Sequence, residues 1–220
     1  MLPVLWRLTP GGLDKAITAQ TKLVIEGFPR SGNTFATYAI RHFAGPGLSI
    51  ASHAHHIGQI KLAIRRGIPC VVVVRPPLET LASYLIAGPH CRPKDVFREY
   101  AIYYKQLLNL THGISVVGFD QLTSDLPRVA ERISRRWGTS LPIYDVSEND
   151  KAMIFEQIER VHGRNHPRAP FERGVARPSP DRNELNIEIR SLLLQEKYRK
   201  EMDRCQKVFE ELYKVAETER

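Results

Sequence analysis

Three short segments of this 220-residue chain carry residue types able to hold anions and to move a proton. Gly27-Phe-Pro-Arg30-Ser31-Gly32-Asn33-Thr34 has the Gly-x4-Gly-x-Thr spacing of a nucleotide phosphate loop. In such a loop the glycines let backbone N–H groups turn inward, and the helix that follows adds positive potential for an anion. Arg75 and Ser83 offer a clamp for a second phosphate, the plainer alternative being a capping arginine and a helix-packing serine. His53 is a side chain suited to taking a proton near neutral pH, with His55 and His56 as neighbouring rivals.

Two departures from an ordinary phosphate loop narrow the chemistry. Asn33 stands where the lysine belongs, and the cation is moved forward to Arg30. The apolar run before the second site ends in Arg75, where an ATPase or GTPase wants an Asp for magnesium. Cations at both strand ends, and no carboxylate, are expected to hold anions without a metal. A nucleoside kinase or NTPase is the rival enzyme reading. A non-catalytic nucleotide- or nucleic-acid-binding protein is the rival from another class. A zinc site from His53, His55 and His90 or Cys91 has neither the spacing nor the supporting partners.

The elements that must position these residues alternate. Residues 22–26 form a short apolar strand and Asn33–Phe43 a helix. An extended segment, Leu48–Ser52, leads to His53. A helix over Ile57–Arg66 precedes a buried strand at Cys70–Val74. Helices at Leu78–Ala87 and Val96–Leu110, a strand at Ile114–Gly118 and a helix at Leu126–Trp137 follow. This pattern predicts an α/β fold: a central parallel sheet flanked by helices, with ligands at the carboxyl ends of the strands. Ser147–Asp150 can cap a helix running to about Val161. Residues 163–182 read as a Pro/Arg-rich loop. Asn186–Val215 reads as one long helix whose stripe (Leu194, Tyr198, Met202, Cys205, Phe209, Leu212) docks on the chain's own core rather than forming a homodimer seam.

Together these segments resemble a PAPS-dependent sulfotransferase, PAPS being 3′-phosphoadenosine 5′-phosphosulfate. GFPRSGNTF is similar to that family's 5′-phosphosulfate loop, which usually carries Lys where Arg30 stands. RPPLETLASY resembles its 3′-phosphate motif, an Arg followed eight positions later by Ser. Ser52-His53 resembles its Ser-His or Thr-His pair. The resemblance implies a P-loop kinase-like sulfotransferase fold with His53 as general base and Arg30 bridging the sulfuryl group and the 5′-phosphate. It implies PAPS contacts from Arg30, Ser31, Gly32, Asn33, Thr34, Arg75 and Ser83. Phe35 takes the place of an aromatic near adenine. Arg173 and Gly174, in a segment similar to the family's Arg-Lys-Gly, would reach the 3′-phosphate from a lid formed by 163–182. The acceptor, a small molecule or glycan, is expected among loops near Ala87–Lys94, Tyr100–Tyr104 and the late basic segment.

Composition bounds the rest. The length fits a single domain: an N-terminal segment 1–21, a nucleotide-binding core 22–138, the lid 163–182 and a C-terminal helix 183–220. A net charge of +8 points to anionic partners, but no RRM, KH, helix-turn-helix or zinc-finger pattern accompanies it, so nucleic acid is not expected. No apolar run is long enough to span a membrane, and no signal peptide is visible. Three cysteines without metal spacing suit a reducing, cytoplasmic setting without structural disulfides.

Overall fold

A computed structural model describes residues 16–45, 47–165, 174–175 and 182–218. Four parallel strands form its centre: β1 (Leu23–Gly27), β2 (Ile50–Ser52), β3 (Cys70–Val74) and β4 (Ser115–Gly118), in the spatial order β2-β1-β3-β4. Every residue in them is buried, because helices cover both faces. Side chains alternate between the faces with the two-residue period of a strand. Val24, Cys70, Val72, Val74 and Val116 enter one core, and Leu23, Ile25, Val71, Val73 and Val117 the other.

The helices are α1 (Asn33–Ala44), α2 (Ile57–Arg65), α3 (Pro77–Ala87), α4 (Pro93–Leu108), α5 (Phe119–Ser124), α6 (Leu126–Trp137), α7 (Glu148–Asn165), α8 (Asn183–Leu193) and α9 (Arg199–Thr218). Chain order and spatial order diverge at β1. The chain leaves β1 through α1 to β2 on one side, then recrosses through α2 to β3 on the other. The carboxyl ends of β1 and β3 therefore border the switch point, where open α/β sheets bind ligands. The Gly27–Thr34 loop and Arg75 both begin there.

Three expectations are revised. The long C-terminal helix is α9, and the span predicted as one helix from Asn186 is broken. The chain leaves α8 at Leu194, is extended at Gln195 and turns through Glu196–Tyr198. The two pieces cover different ground, α8 packing on α3 while α9 packs on α4 and β4, which a single straight rod would not reach. Leu194 is thereby left 62% exposed, whereas Tyr198, Cys205, Phe209 and Leu212 dock into the core as expected. Second, α7 continues to Asn165, so the first residues of the supposed loop are helical. Its start is fixed by a reciprocal pair, Asp150 N–H donating to Ser147 Oγ at 3.1 Å and Ser147 N–H to Asp150 Oδ2 at 2.9 Å. Third, the stretch between the strand ending at Gly118 and the helix from Leu126, to which no element was assigned, forms a short helix, α5. Most of the predicted lid, Arg173 included, lies outside the described residues.

Candidate anion-binding cleft

The loop after β1 rests on a floor of aromatic rings. Phe28 packs against Tyr84, Tyr100, Tyr103 and Tyr104, its centroid 5.3 Å from that of Tyr100. The fully buried Tyr104 hydroxyl donates to Val73 O at 3.0 Å and lies 2.7 Å from Ser31 Oγ and 3.4 Å from Phe28 N. It ties the loop to the end of β3. Tyr100, Tyr103 and Tyr104 therefore form the floor under the loop instead of an acceptor pocket. Tyr104→Phe is expected to cost about 1–3 kcal/mol, because it leaves buried polar groups without that partner. Chemical denaturation checks this, and an unchanged midpoint would refute it.

Asn33 explains why no lysine stands at its position. Its buried side chain donates from Nδ2 to Gly27 O at 3.2 Å and Phe28 O at 3.3 Å, closing the loop onto its own strand. Gly27 must be small for the same reason, since a Cβ there would lie 2.5 Å from Val73 O and 2.7 Å from Asn33 Oδ1. Gly32 has φ 107°, and a Cβ there would meet the Phe119 ring at 2.4 Å. Gly32 is also the residue from which α1 springs.

Above the loop opens a cleft of about 670 Å³. Among the described residues its charged lining is Arg30, Arg75, Arg182, Arg190 and Lys151 against one carboxylate, Glu79. Three of these guanidiniums crowd one another. Arg30 Nε and Arg182 Nη2 both donate to Ser83 Oγ, at 3.0 and 3.2 Å. Arg75 donates to Arg30 O at 3.1 Å and stacks 4.4 Å over the Phe119 ring. Arg30 reaches its place through a left-handed backbone, φ 70°, and also donates to Gly174 O at 2.8 Å and Val175 O at 3.3 Å. Burial, then the charges of Arg182 and Arg75, lower the Arg30 pKa to about 10. Burial foremost lowers Arg75 as well, with Arg182 and Arg190 adding to it against the opposing pull of Glu79. Such crowding is relieved by an anion.

The cleft also takes in the histidine segment. His53 and His55 both have positive φ, 65° and 50°, a conformation costing roughly 1–2 kcal/mol per residue. His53 Nε2 lies 3.0 Å from Thr34 Oγ1 and Nδ1 lies 2.7 Å from Ser52 Oγ. With the proton on Nδ1 donated to Ser52, Nε2 is the basic nitrogen and faces the phosphate loop. His55 Nδ1 donates to Gly27 O at 2.8 Å, which fixes the same tautomer there. Beneath the segment lies Glu26, fully buried at the end of β1. Its Oε1 accepts from Ala54 N and Gln59 Nε2, and its Oε2 from His55 N, each at 2.9 Å. Burial raises its pKa to about 7 against the lowering effect of these hydrogen bonds.

No protein-family model matches the chain, and no curated protein matches it in sequence. Among solved structures, it is similar to mouse sulfotransferase SULT7A1 complexed with PAP. That match has a TM-score of 0.49 and 12% identity, covering 89% of this chain and 86% of the mouse chain.

Of the residues singled out in the sequence, Arg30, Gly32, Asn33, Thr34, Phe35, His53, Arg75 and Ser83 line the one cleft. Ser31 turns its hydroxyl down to Tyr104 instead. The Gly174 carbonyl is held by Arg30. Phe35 is 8% exposed and packs on Phe155, centroids 5.7 Å apart. His56 caps α2 through Gly58 N–H. Among the described residues no three His, Cys, Asp or Glu side chains converge as a metal site. Sequence reasoning missed Arg182, Phe155, Glu79 and Glu26. Two of them carried a signal: Arg182 ends the basic segment expected as a lid, and Glu26 is an acid ending an apolar run, which must find donors if buried.

Proposed function

We propose that the cleft binds PAPS and transfers its sulfuryl group to an acceptor hydroxyl or amine, making the protein a sulfotransferase. The observation that carries this reading is the cluster of Arg30, Arg75 and Arg182 about Ser83, beside a phosphate-type loop and a histidine. Backbone N–H groups at the start of α1, with Arg30 and Thr34, suit the 5′-phosphosulfate. Arg75, Ser83 and Arg182 suit a second phosphate, at the 3′ position. Phe35 and Phe155 give the cleft an aromatic wall. In the reaction the acceptor oxygen forms a bond to sulfur as the sulfur–oxygen bond to the 5′-phosphate breaks. The acceptor proton goes to His53 Nε2, and Arg30 meets the charge left on the phosphate. Being a guanidinium, Arg30 stabilises that charge without giving up a proton.

The acceptor in this reading is a small molecule or a glycan. The three cysteines are free thiols, which suits a cytoplasmic protein. Among the described residues no helix is long and apolar enough to cross a membrane.

Adenosine 3′,5′-bisphosphate is expected to stabilise the fold in EDTA, by about 2.7 kcal/mol at a hundredfold excess over its dissociation constant. AMP, lacking the 3′-phosphate, should do much less. Thermal shift measures both. Equal stabilisation by AMP, or stabilisation by a nucleotide only when magnesium is added, would overturn the reading in favour of a phosphoryl-transfer protein.

A further inference from the structure

A buried carboxylate outside the reacting groups holds together the segment that bears both cleft histidines. Glu26 ends the face of β1 that begins with Val24, and among the described residues no lysine or arginine is bonded to it. Its three donors come from two directions. Ala54 and His55 supply backbone N–H groups from the segment after β2, and Gln59 supplies its amide from the first turn of α2, just past the His56 cap. The two backbone donors are consecutive and lie between the left-handed residues His53 and His55. Left-handed residues of this kind persist only where the surroundings over-determine them. Here the surroundings are one carboxylate gripping the peptide groups between them, with Ser52, Thr34 and Gly27 fixing the two rings from above.

We propose that Glu26 is a positioning residue for proton transfer, holding His53 and His55 at the cleft through the backbone of Ala54 and His55. The proposal rests on the sulfotransferase reading for what the histidines do, but not for where they are held. Glu26 touches no reacting atom, so it acts only through the segment it grips.

The grip needs the ionised acid. Both carboxylate oxygens accept, and a proton on either would face an N–H already directed at it. The titratable groups facing Glu26 are His55 on the gripped segment, Tyr103 from α4 and Cys70 from β3. Burial first, and the charge of Glu26 next, push Tyr103 and Cys70 well above their usual ranges, so neither titrates near neutrality. Glu26 itself, at about 7, does. The grip should therefore be firm above neutral pH and loosen as pH falls through that value.

The test uses the full chain labelled with 15N-histidine, its side-chain resonances followed from about pH 5.5 to about pH 8.5. His53 and His55 are assigned by His53→Asn and His55→Asn. In the wild type, the His55 ring should show an inflection near pH 7 that reports the titration of Glu26. Glu26→Gln should abolish that inflection and shift the His53 and His55 resonances, while those of His42 and His112 stay in place. Affinity for adenosine 3′,5′-bisphosphate should stay within about threefold, since the arginines are untouched. Should Glu26→Gln fail to fold, Gln59→Leu keeps the acid and removes one donor that lowers its pKa, so the inflection should move to higher pH. A Glu26→Gln spectrum superimposable on the wild type would overturn the proposal. So would an equal shift of all eight histidines, or an inflection unmoved by Gln59→Leu. A wild type that fails to bind the bisphosphate would overturn the sulfotransferase reading while leaving the histidine spectra to judge Glu26.

Discussion

His53→Ala is expected to lower PAPS-dependent transfer by about 10²–10⁴-fold while leaving adenosine 3′,5′-bisphosphate bound within about threefold of wild-type affinity. The split follows from geometry. The His53 ring lines the cleft beside Thr34 and Ser52, whereas the cations that suit the nucleotide's phosphates come from the loop, the end of β3 and the start of α8. Removing the ring takes away a base without removing a cation. Release of the bisphosphate from PAPS, measured over a panel of phenols, alcohols and amines, reads the rate, and calorimetry reads the affinity. His55 provides the internal contrast. Its Nδ1 is committed to Gly27 O, so His55→Ala should disturb the loop and weaken binding along with turnover. Near-normal turnover in His53→Ala, with binding intact but transfer abolished in His55→Ala, would move the base two residues along.

Arg75→Ala should have the largest effect on binding. Truncating one side of a buried, hydrogen-bonded charge pair costs about 2–5 kcal/mol, on the order of thirtyfold to several-thousandfold in affinity. Arg75 also has a second task, because it donates to Arg30 O and so supports the strained backbone that delivers Arg30. Comparing two ligands separates the tasks. If Arg75 binds the 3′-phosphate, the bisphosphate loses far more affinity than AMP. If its role is to prop Arg30, both lose alike. Arg75→Lys should recover only part of the loss, since an ammonium lacks the planar fork that stacks on Phe119 while donating to Arg30 O. Equal losses for both ligands would remove Arg75 from the second phosphate site.

The part of the fold that bears on the cleft was legible because its signals are local. Apolar runs ending in glycine or arginine marked β1 and β3, and the spacing of Gly27, Gly32 and Thr34 marked the loop between strand and helix. The break after Leu193 was not legible. No glycine or proline interrupts Asn186–Val215, and the helical stripe continues through Leu194 and Tyr198. What turns the chain there is the separate docking of α8 on α3 and of α9 on α4, which is tertiary. The cleft divided in the same way. Arg30, His53, Arg75 and Ser83 stand in motifs, whereas Arg182 and Phe155 arrive from helices more than a hundred residues from the loop. Nothing in the neighbourhood of Phe155 marks it, and Arg182 was legible only as the last of the arginines in the basic segment 163–182. The expectation of a site without carboxylates also met a limit. Glu79 lines the cleft but is paired with Arg190 at 3.1 Å, and Glu26 is occupied by three donors beneath it.

The contacts of Arg30 with Gly174 O and Val175 O have a consequence for how any anion enters. The guanidinium is not bare; it already has two carbonyl oxygens and a hydroxyl as ligands. An incoming phosphosulfate would therefore take part in a ligand exchange, trading neutral oxygens for charged ones at the same donors. The gain is the difference between the two sets, smaller than for a naked cation, and on departure the carbonyls are at hand to take the donors back. A chain that supplies its own weak ligands in this way keeps a buried arginine satisfied while no anion is bound. If the proposed reaction holds, the same exchange would hold down the affinity for the spent nucleotide and speed its release.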